Sequence, residues 1–252
     1  MNRTTDIDGM ARWLSYAKVA TAGPTNVFCF PFAGGGASFF RSWMQFAPPT
    51  IAICPMQPPG REERFVERPF DSMDALVRAA TDALMPHLAH KYAFFGHSMG
   101  ALAAFEIVHT LRERGAPLPV HFFVSGAPAP QVASRIPAIH ELPADEFLAE
   151  IQRYGGVPDE VMQSRELLDL MMPRLRADLA VTGTYVYRER PPLAMPITAL
   201  GGLRDDVVTP ELVEAWREQT TAKFTFTPFD GGHFFIHERS REIVSMVARA
   251  LT

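Results

Sequence analysis

Cysteine is almost missing from this chain of 252 residues: Cys29 and Cys54 stand alone, in separate strand-like stretches, with no metal or redox spacing. A disulfide-stapled scaffold and a cysteine-built metal site are thereby excluded, and both thiols are expected as reduced core residues. Cys54 also lacks the flanking glycines that would expose it as a nucleophile. Lysine is scarce, three against 21 arginines, and the formal net charge is −4. No basic excess of the kind that binds nucleic acid is present. No uninterrupted apolar run approaches the ~20 residues of a membrane-spanning helix. The stretch from Met1 to Pro24 carries acids and arginines without the apolar heart of a signal peptide, so the expected location is the cytoplasm. Repeats and low-complexity tracts are missing too. What is there, 47% hydrophobic residues with mean hydropathy near zero, describes a soluble globular chain long enough to bury a large core. One domain with one inserted segment, as a monomer, is the simplest expectation.

Short β-branched or aromatic runs alternate with helical patterns, as parallel strands joined by crossover helices require. Strands are expected near Val27–Phe30, Ile51–Cys54, Tyr92–Phe95, Phe122–Ser125, Ile197–Leu200 and Phe224–Thr227, and helices near Met73–His87, Met99–Arg114, Pro210–Gln219 and Glu238–Ala250. The fold class is therefore α/β. One junction stands out. The apolar run Tyr92-Ala93-Phe94-Phe95 leads into Gly96-His97-Ser98-Met99-Gly100, and Ala101-Leu102-Ala103-Ala104-Phe105 leads away. A serine where a buried strand turns sharply into a helix is a nucleophile elbow. The flanking glycines have a steric task, because a Cβ on either side of the strained serine would strike the neighbouring strand or helix. The five-residue pattern alone is common; its strand-turn-helix setting makes it specific.

A serine hydroxyl needs a base to take its proton, and the base needs an acid to orient it. After an elbow of this kind the chain order is serine, acid, histidine. His233 ends the polar loop Asp230-Gly231-Gly232-His233 after the last strand-like run, which suits a base, whereas His237 is read as structural. The acid should follow the preceding strand, where Asp205 and Asp206 compete. Neighbouring loop residues point in different directions, so only one reaches His233; Asp205 is the choice, with Asp206 capping the helix near Pro210 or facing water. The oxyanion hole should pair the Met99 amide with the Ala33 amide from Phe32-Ala33-Gly34-Gly35-Gly36-Ala37. That glycine-rich loop lacks the Lys-Ser/Thr of a phosphate cradle and the dinucleotide spacing. His233 and His237 do not make a helical zinc pair, since no acid stands between them. No metal or cofactor is expected.

With these residues in place the chain resembles the type II thioesterases that accompany modular polyketide synthases and nonribosomal peptide synthetases, a branch of the α/β-hydrolase superfamily. The resemblance runs from about Val27 to the C-terminus. It rests on Phe30-Pro31-Phe32-Ala33-Gly34-Gly35, Pro59-Gly60-Arg61-Glu62, Phe95-Gly96-His97-Ser98-Met99-Gly100-Ala101, the Asp205 loop followed by Trp216, and Gly231-Gly232-His233-Phe234-Phe235. Many members carry histidine or tyrosine at the place of Phe32 and proline at the place of Asp206. The resemblance implies a mostly parallel sheet flanked by helices, with an inserted helical lid. It also implies a thioester hydrolase that works through an acyl-serine. Its substrates are acyl groups, stalled or aberrant, on the phosphopantetheine arm of acyl or peptidyl carrier proteins. A free-standing esterase and a silent carrier-binding subunit are the rival readings.

The lid candidate spans about 137–190. Phe147, Ile151 and Tyr154 share one helical face, and Leu167, Leu168, Met171, Met172, Leu175 and Leu179 another. This is more leucine and methionine than one face needs, so Met171, Met172 and Leu175, with Phe32, are expected to line the acyl pocket. Gly155-Gly156 and Gly183 are candidate hinges or ordinary caps. Carrier proteins are typically acidic, so docking on a chain of net charge −4 needs a local basic patch. Arg61, Arg64 and Arg68, or Arg174 and Arg176, are the candidates.

Overall fold

The apolar runs become six strands, β1 Thr25–Phe30, β2 Ile51–Pro55, β3 Tyr92–His97, β4 Phe122–Ser125, β5 Ile197–Gly202 and β6 Phe224–Phe229. They lie in one sheet in the order β2-β1-β3-β4-β5-β6, and every pairing is parallel. A computed structural model describes residues 12–14, 16–135, 137–155, 161 and 163–252. Its helices are α1 Arg41–Phe46, α2 Met73–Leu84, α3 Met99–Glu113, α4 Ala144–Tyr154, α5 Arg165–Gly183, α6 Pro210–Glu214, α7 Phe235–Glu238 and α8 Ser240–Leu251. Helix α1, a turn and a half long, leaves too short a periodicity to register in the sequence. None of the described helices is long and apolar enough to cross a membrane.

Strand side chains alternate between two cores, as the period of two demands. Phe28, Phe94, Phe122 and Val124 face the core built with α2, α3 and Trp216. Val27, Cys29, Ala93, Phe95 and Phe123 face the core built with Trp43 and the Ile243, Val244 and Val247 stripe of α8. The two free cysteines are divided in the same way, Cys54 to the first core and Cys29 to the second. Burial pushes both thiols up, that of Cys54 to about 12.

Strand β1 lies between β2 and β3, so the chain leaves β1 on one side and returns on the other. Loops diverge at such a reversal and open a crevice beyond the C-terminal ends of the strands. Phe30 is in register with Gly96, which sets the glycine-rich loop after β1 beside the elbow after β3. Between β4 and β5 the chain inserts α4 and α5. This insertion has a core of its own: Ile139, Phe147 and Ile151, with Met172, Leu175 and Leu179 packed against them. Gly155 is left-handed at φ +74° with open space around it, which is the geometry of a helix C-cap. A Cβ on Gly183 would strike the His140 ring, so close packing explains that glycine; Gly156 lies outside the described residues.

Candidate active site

Ser98 sits at φ +53°, ψ −121°, a strained conformation for a residue with a side chain. Two backbone bonds hold it there: its N–H donates to the Ser125 carbonyl at 2.8 Å, and its own carbonyl accepts from the Ala101 N–H at 2.9 Å. The flanking glycines behave as sterics demand. A Cβ on Gly96 would lie 2.5 Å from the Ala101 Cα, and one on Gly100 would drive into the Phe30 and Pro31 carbonyls. Gly100 thus lets the start of α3 lie flush against the end of β1, with the Met99 amide brought to the loop that carries Ala33. Among the described residues, neither the Met99 N–H nor the Ala33 N–H has a protein acceptor.

His233 Nε2 lies 3.2 Å from Ser98 Oγ, and its Nδ1 lies 2.6 Å from Asp205 Oδ2. The other carboxylate oxygen of Asp205 accepts the Val207 and Val208 amides at 3.0 and 2.8 Å. Donors on both carboxylate oxygens therefore fix the orientation of Asp205. His233 and Asp205 are buried, whereas Asp206 is exposed. The helix after it, α6, has Thr209 at its N-cap and no side-chain cap, and Asp206 faces water. A glycine permits the loop approach here as well: a Cβ on Gly202 would lie 2.5 Å from the Gly232 carbonyl.

Two neighbours of the imidazole are ones the sequence reading did not single out. His97, within the elbow, is fully buried, its Nδ1 2.9 Å from Ser125 Oγ and its ring 5.2 Å from that of His233. Burial holds its pKa well below the usual range, so it stays neutral and does not oppose a positive charge on His233. Tyr154 from α4 packs edge-on at 5.5 Å, and burial raises its hydroxyl to about 12. The elbow pattern names its glycines and serine only, and Tyr154 read as one more apolar-face residue.

The cleft at Ser98 holds about 70 Å³ and is lined by Leu102, Pro128, Ile139, Tyr154, Leu179 and Val208 among others. Phe32, Met171, Met172 and Leu175 do not line it. Met171, Met172 and Leu175 line a much smaller apolar gap between α4 and α5. They serve the insertion's internal core, because two helices lying over a sheet must first bury the faces they turn to each other. Phe32 packs edge-on against Phe39 and Phe234 at 5.4 and 4.9 Å. Most of the arginines expected on a docking face are likewise committed elsewhere. Arg61 is buried against Asp178, and Arg64 against Glu67, the Gln57 carbonyl and the Trp13 ring. Arg174 donates to the Gly60 and Phe65 carbonyls and Arg176 to that of His140. Arg68 alone of the five is well exposed, in a surface pair with Asp71. Among the described residues, no group of three or more His, Cys, Asp or Glu side chains is placed to hold a metal ion.

A model of the thioesterase domain matches residues 25–251. The chain is 40% identical over 247 residues to the gramicidin S biosynthesis protein GrsT of Aneurinibacillus migulanus, covering 98% of this chain and 96% of that protein. It superposes at a TM-score of 0.86 on RedJ, a thioesterase from the prodiginine biosynthetic pathway in Streptomyces coelicolor, with 41% identity and 92% and 94% of the two chains covered. For BorB, a type II thioesterase from the borrelidin biosynthetic cluster, the TM-score is 0.84 at 34% identity, with 94% and 96% covered. The sheet and its flanking helices are those of an α/β-hydrolase. Family model, relatives and fold agree, and the chain belongs to the thioesterase family, among its type II thioesterases.

Proposed function

We propose that this thioesterase removes stalled or aberrant acyl groups from the phosphopantetheine arm of acyl or peptidyl carrier proteins in polyketide or nonribosomal peptide synthesis, through an acyl-enzyme on Ser98. The observation that carries this reading is the relay Asp205–His233–Ser98, with bonds of 2.6 and 3.2 Å. His233 Nε2 accepts the proton of Ser98 as Oγ attacks the thioester carbonyl. Asp205 orients the ring and balances the imidazolium charge. The Met99 and Ala33 amides receive the oxyanion. The carbon–sulfur bond then breaks, and the imidazolium returns its proton to the departing thiolate. Thiols, with pKa about 8–9, leave readily. Water, deprotonated by the same histidine, cleaves the acyl-serine to free acid and restores Ser98.

The insertion between β4 and β5 acts as a lid, roofing the cleft with Ile139, Tyr154 and Leu179. Relatives and neighbours named for biosynthetic pathways of peptides and polyketides support the carrier-bound substrate. Free, buried cysteines fit a reducing cytoplasm. A panel of acyl-carrier thioesters assayed beside oxygen esters of the same acids tests the substrate class: carrier-bound acyl groups react faster, and equal rates would point to a free-standing esterase. A fluorophosphonate probe tests the nucleophile. It labels the wild-type chain and not Ser98→Ala; equal labelling of both rejects Ser98.

A further inference from the structure

The segment Pro59-Gly60-Arg61-Glu62 has no part in the relay, yet the geometry gives it one beside the loop that carries Ala33. Three amides of that loop are each held by a side chain from elsewhere. The Gly34 N–H donates to Asp178 Oδ2 at 2.7 Å, the Ala37 N–H to Gln57 Oε1 at 2.6 Å, and the Ser38 N–H to Glu62 Oε1 at 3.1 Å. Gln57 in turn donates to the Arg61 carbonyl at 3.1 Å. One terminal nitrogen of Arg61 reaches both Asp178 oxygens, at 2.6 and 2.8 Å. Asp178 lies on α5, 144 residues from Gly34 in sequence, and it is 3% exposed.

A buried ion pair is weak evidence for stability, since desolvation offsets most of its attraction. Its position has a clearer meaning. The Gly35 N–H donates to the Phe32 carbonyl at 2.9 Å, closing a turn over 32–35 whose third residue, Gly34, has φ +80°. In such a turn the central peptide can face either way, and positive φ at the third position belongs to one of the two. The Asp178 carboxylate, an acceptor only, selects the face in which the Gly34 N–H points at α5. The peptide before it, Phe32–Ala33, is the one that presents the Ala33 N–H.

We propose that Asp178, held in place by Arg61, is a positioning residue for the oxyanion hole: through the Gly34 amide it keeps the Ala33 N–H aimed at the cleft, so the hole is complete only while α5 is seated. The proposal rests on the reading of Ala33 as an oxyanion donor. Moving the insertion away breaks the Asp178–Gly34 bond and slackens the turn, which ties catalytic readiness to closure.

The test measures kcat and KM for an acyl thioester, and the affinity of an alkylboronic acid, for the wild type, Asp178→Ala and Asp178→Asn. The boronate forms a tetrahedral adduct on Ser98 whose oxygen sits in the hole. Rates are expressed per active site, from end-point titration with a fluorophosphonate. Asp178→Ala should lose about 10–100-fold in kcat, in line with a donor displaced by about 1 Å, with KM within about 3-fold. Boronate affinity should fall by a matching factor. Asp178→Asn keeps an oxygen for the Gly34 amide and should recover part of both. Unchanged kcat and boronate affinity in Asp178→Ala overturn the proposal, as does a loss of kcat without a loss of boronate affinity. Should Asp178→Ala fail to fold, Asp178→Asn alone decides: kcat and boronate affinity falling together support the proposal, and any other result overturns it. A wild-type chain that neither titrates nor binds the boronate refutes the Ser98 reading beneath.

Discussion

Replacing Gly100 with alanine tests the idea that one missing Cβ holds both halves of the oxyanion hole together. A Cβ there would lie 2.6 Å from the Phe30 carbonyl carbon and from the Pro31 oxygen, and nearer still to the Phe30 oxygen. Ordinary non-bonded contacts between such atoms are about 3.5 Å, so α3 must retreat from β1 by about 1 Å. The obstructing atoms are backbone, which cannot swing aside as a side chain would. That retreat draws the Met99 amide away from the loop bearing Ala33. A displacement of this size costs about 10²-fold in rate, and complete loss of one donor about 10²–10³. Overpacking should remove a further ~1–3 kcal/mol of stability. Gly115→Ala is the control: nothing lies within 4 Å of its Cβ, though its φ is +64°, so about 1–2 kcal/mol of strain is expected with kcat unaltered. The assay pairs urea denaturation with kcat per titrated active site. If Gly100→Ala retains wild-type kcat and midpoint, the steric reasoning is wrong.

Asp205→Asn should keep an oxygen for the Val207 and Val208 amides, and hence the fold, while kcat drops by about 10⁴ through loss of the carboxylate that orients His233; Asp206→Asn should match wild type, and comparable losses in both would leave the acid unassigned. Burial depresses the pKa of His97, of His109 to about 3 and of His121 to about 4. The unfolded chain therefore binds protons below its pKa of about 6.5 that the folded chain does not, and stability present above that pH is lost as pH falls. The slope is at most ~1.4 kcal/mol per pH unit for each ring. Urea midpoints that do not decline from pH 7 to pH 5 would contradict this. On the scale at which a cavity of about 150 Å³ takes the six heavy atoms of benzene, the 70 Å³ cleft has room for about three. Acetyl to butyryl thioesters should then outpace decanoyl, and Leu102→Ala should shift the preference upward; a wild-type preference for decanoyl would refute this reading of the cleft.

Features with a local physical cause were legible in the chain. The strand cores followed from apolar runs with period two, and the elbow from glycines at positions where a Cβ has no room. The loops bearing His233 and the Asp205–Asp206 pair followed from strand placement and chain order, and the structure brings both loops to Ser98. Features that depend on which surplus apolar residue meets which neighbour were not legible. The apolar residues of α5 look alike whether they face a substrate or a companion helix; Met172 and Leu179 both pack on the insertion's core, and only tertiary structure shows that Leu179 also reaches the cleft. The arginines show the same limit, because sequence records a charge without recording its partner; Arg61 reads as surface until Asp178 is seen against it.

By itself, then, the sequence determined the α/β architecture and the place of the glycine-flanked elbow at Ser98, because backbone sterics and hydrophobic periodicity act over a few residues. Tertiary structure alone set Asp205, and not Asp206, against the His233 ring, sent Met172 and Leu175 into the insertion's core, and brought a carboxylate 144 residues away onto the Gly34 amide. Those outcomes turn on distances of a few tenths of an ångström between segments remote along the chain, and such distances exist only once the crossovers have closed over the sheet.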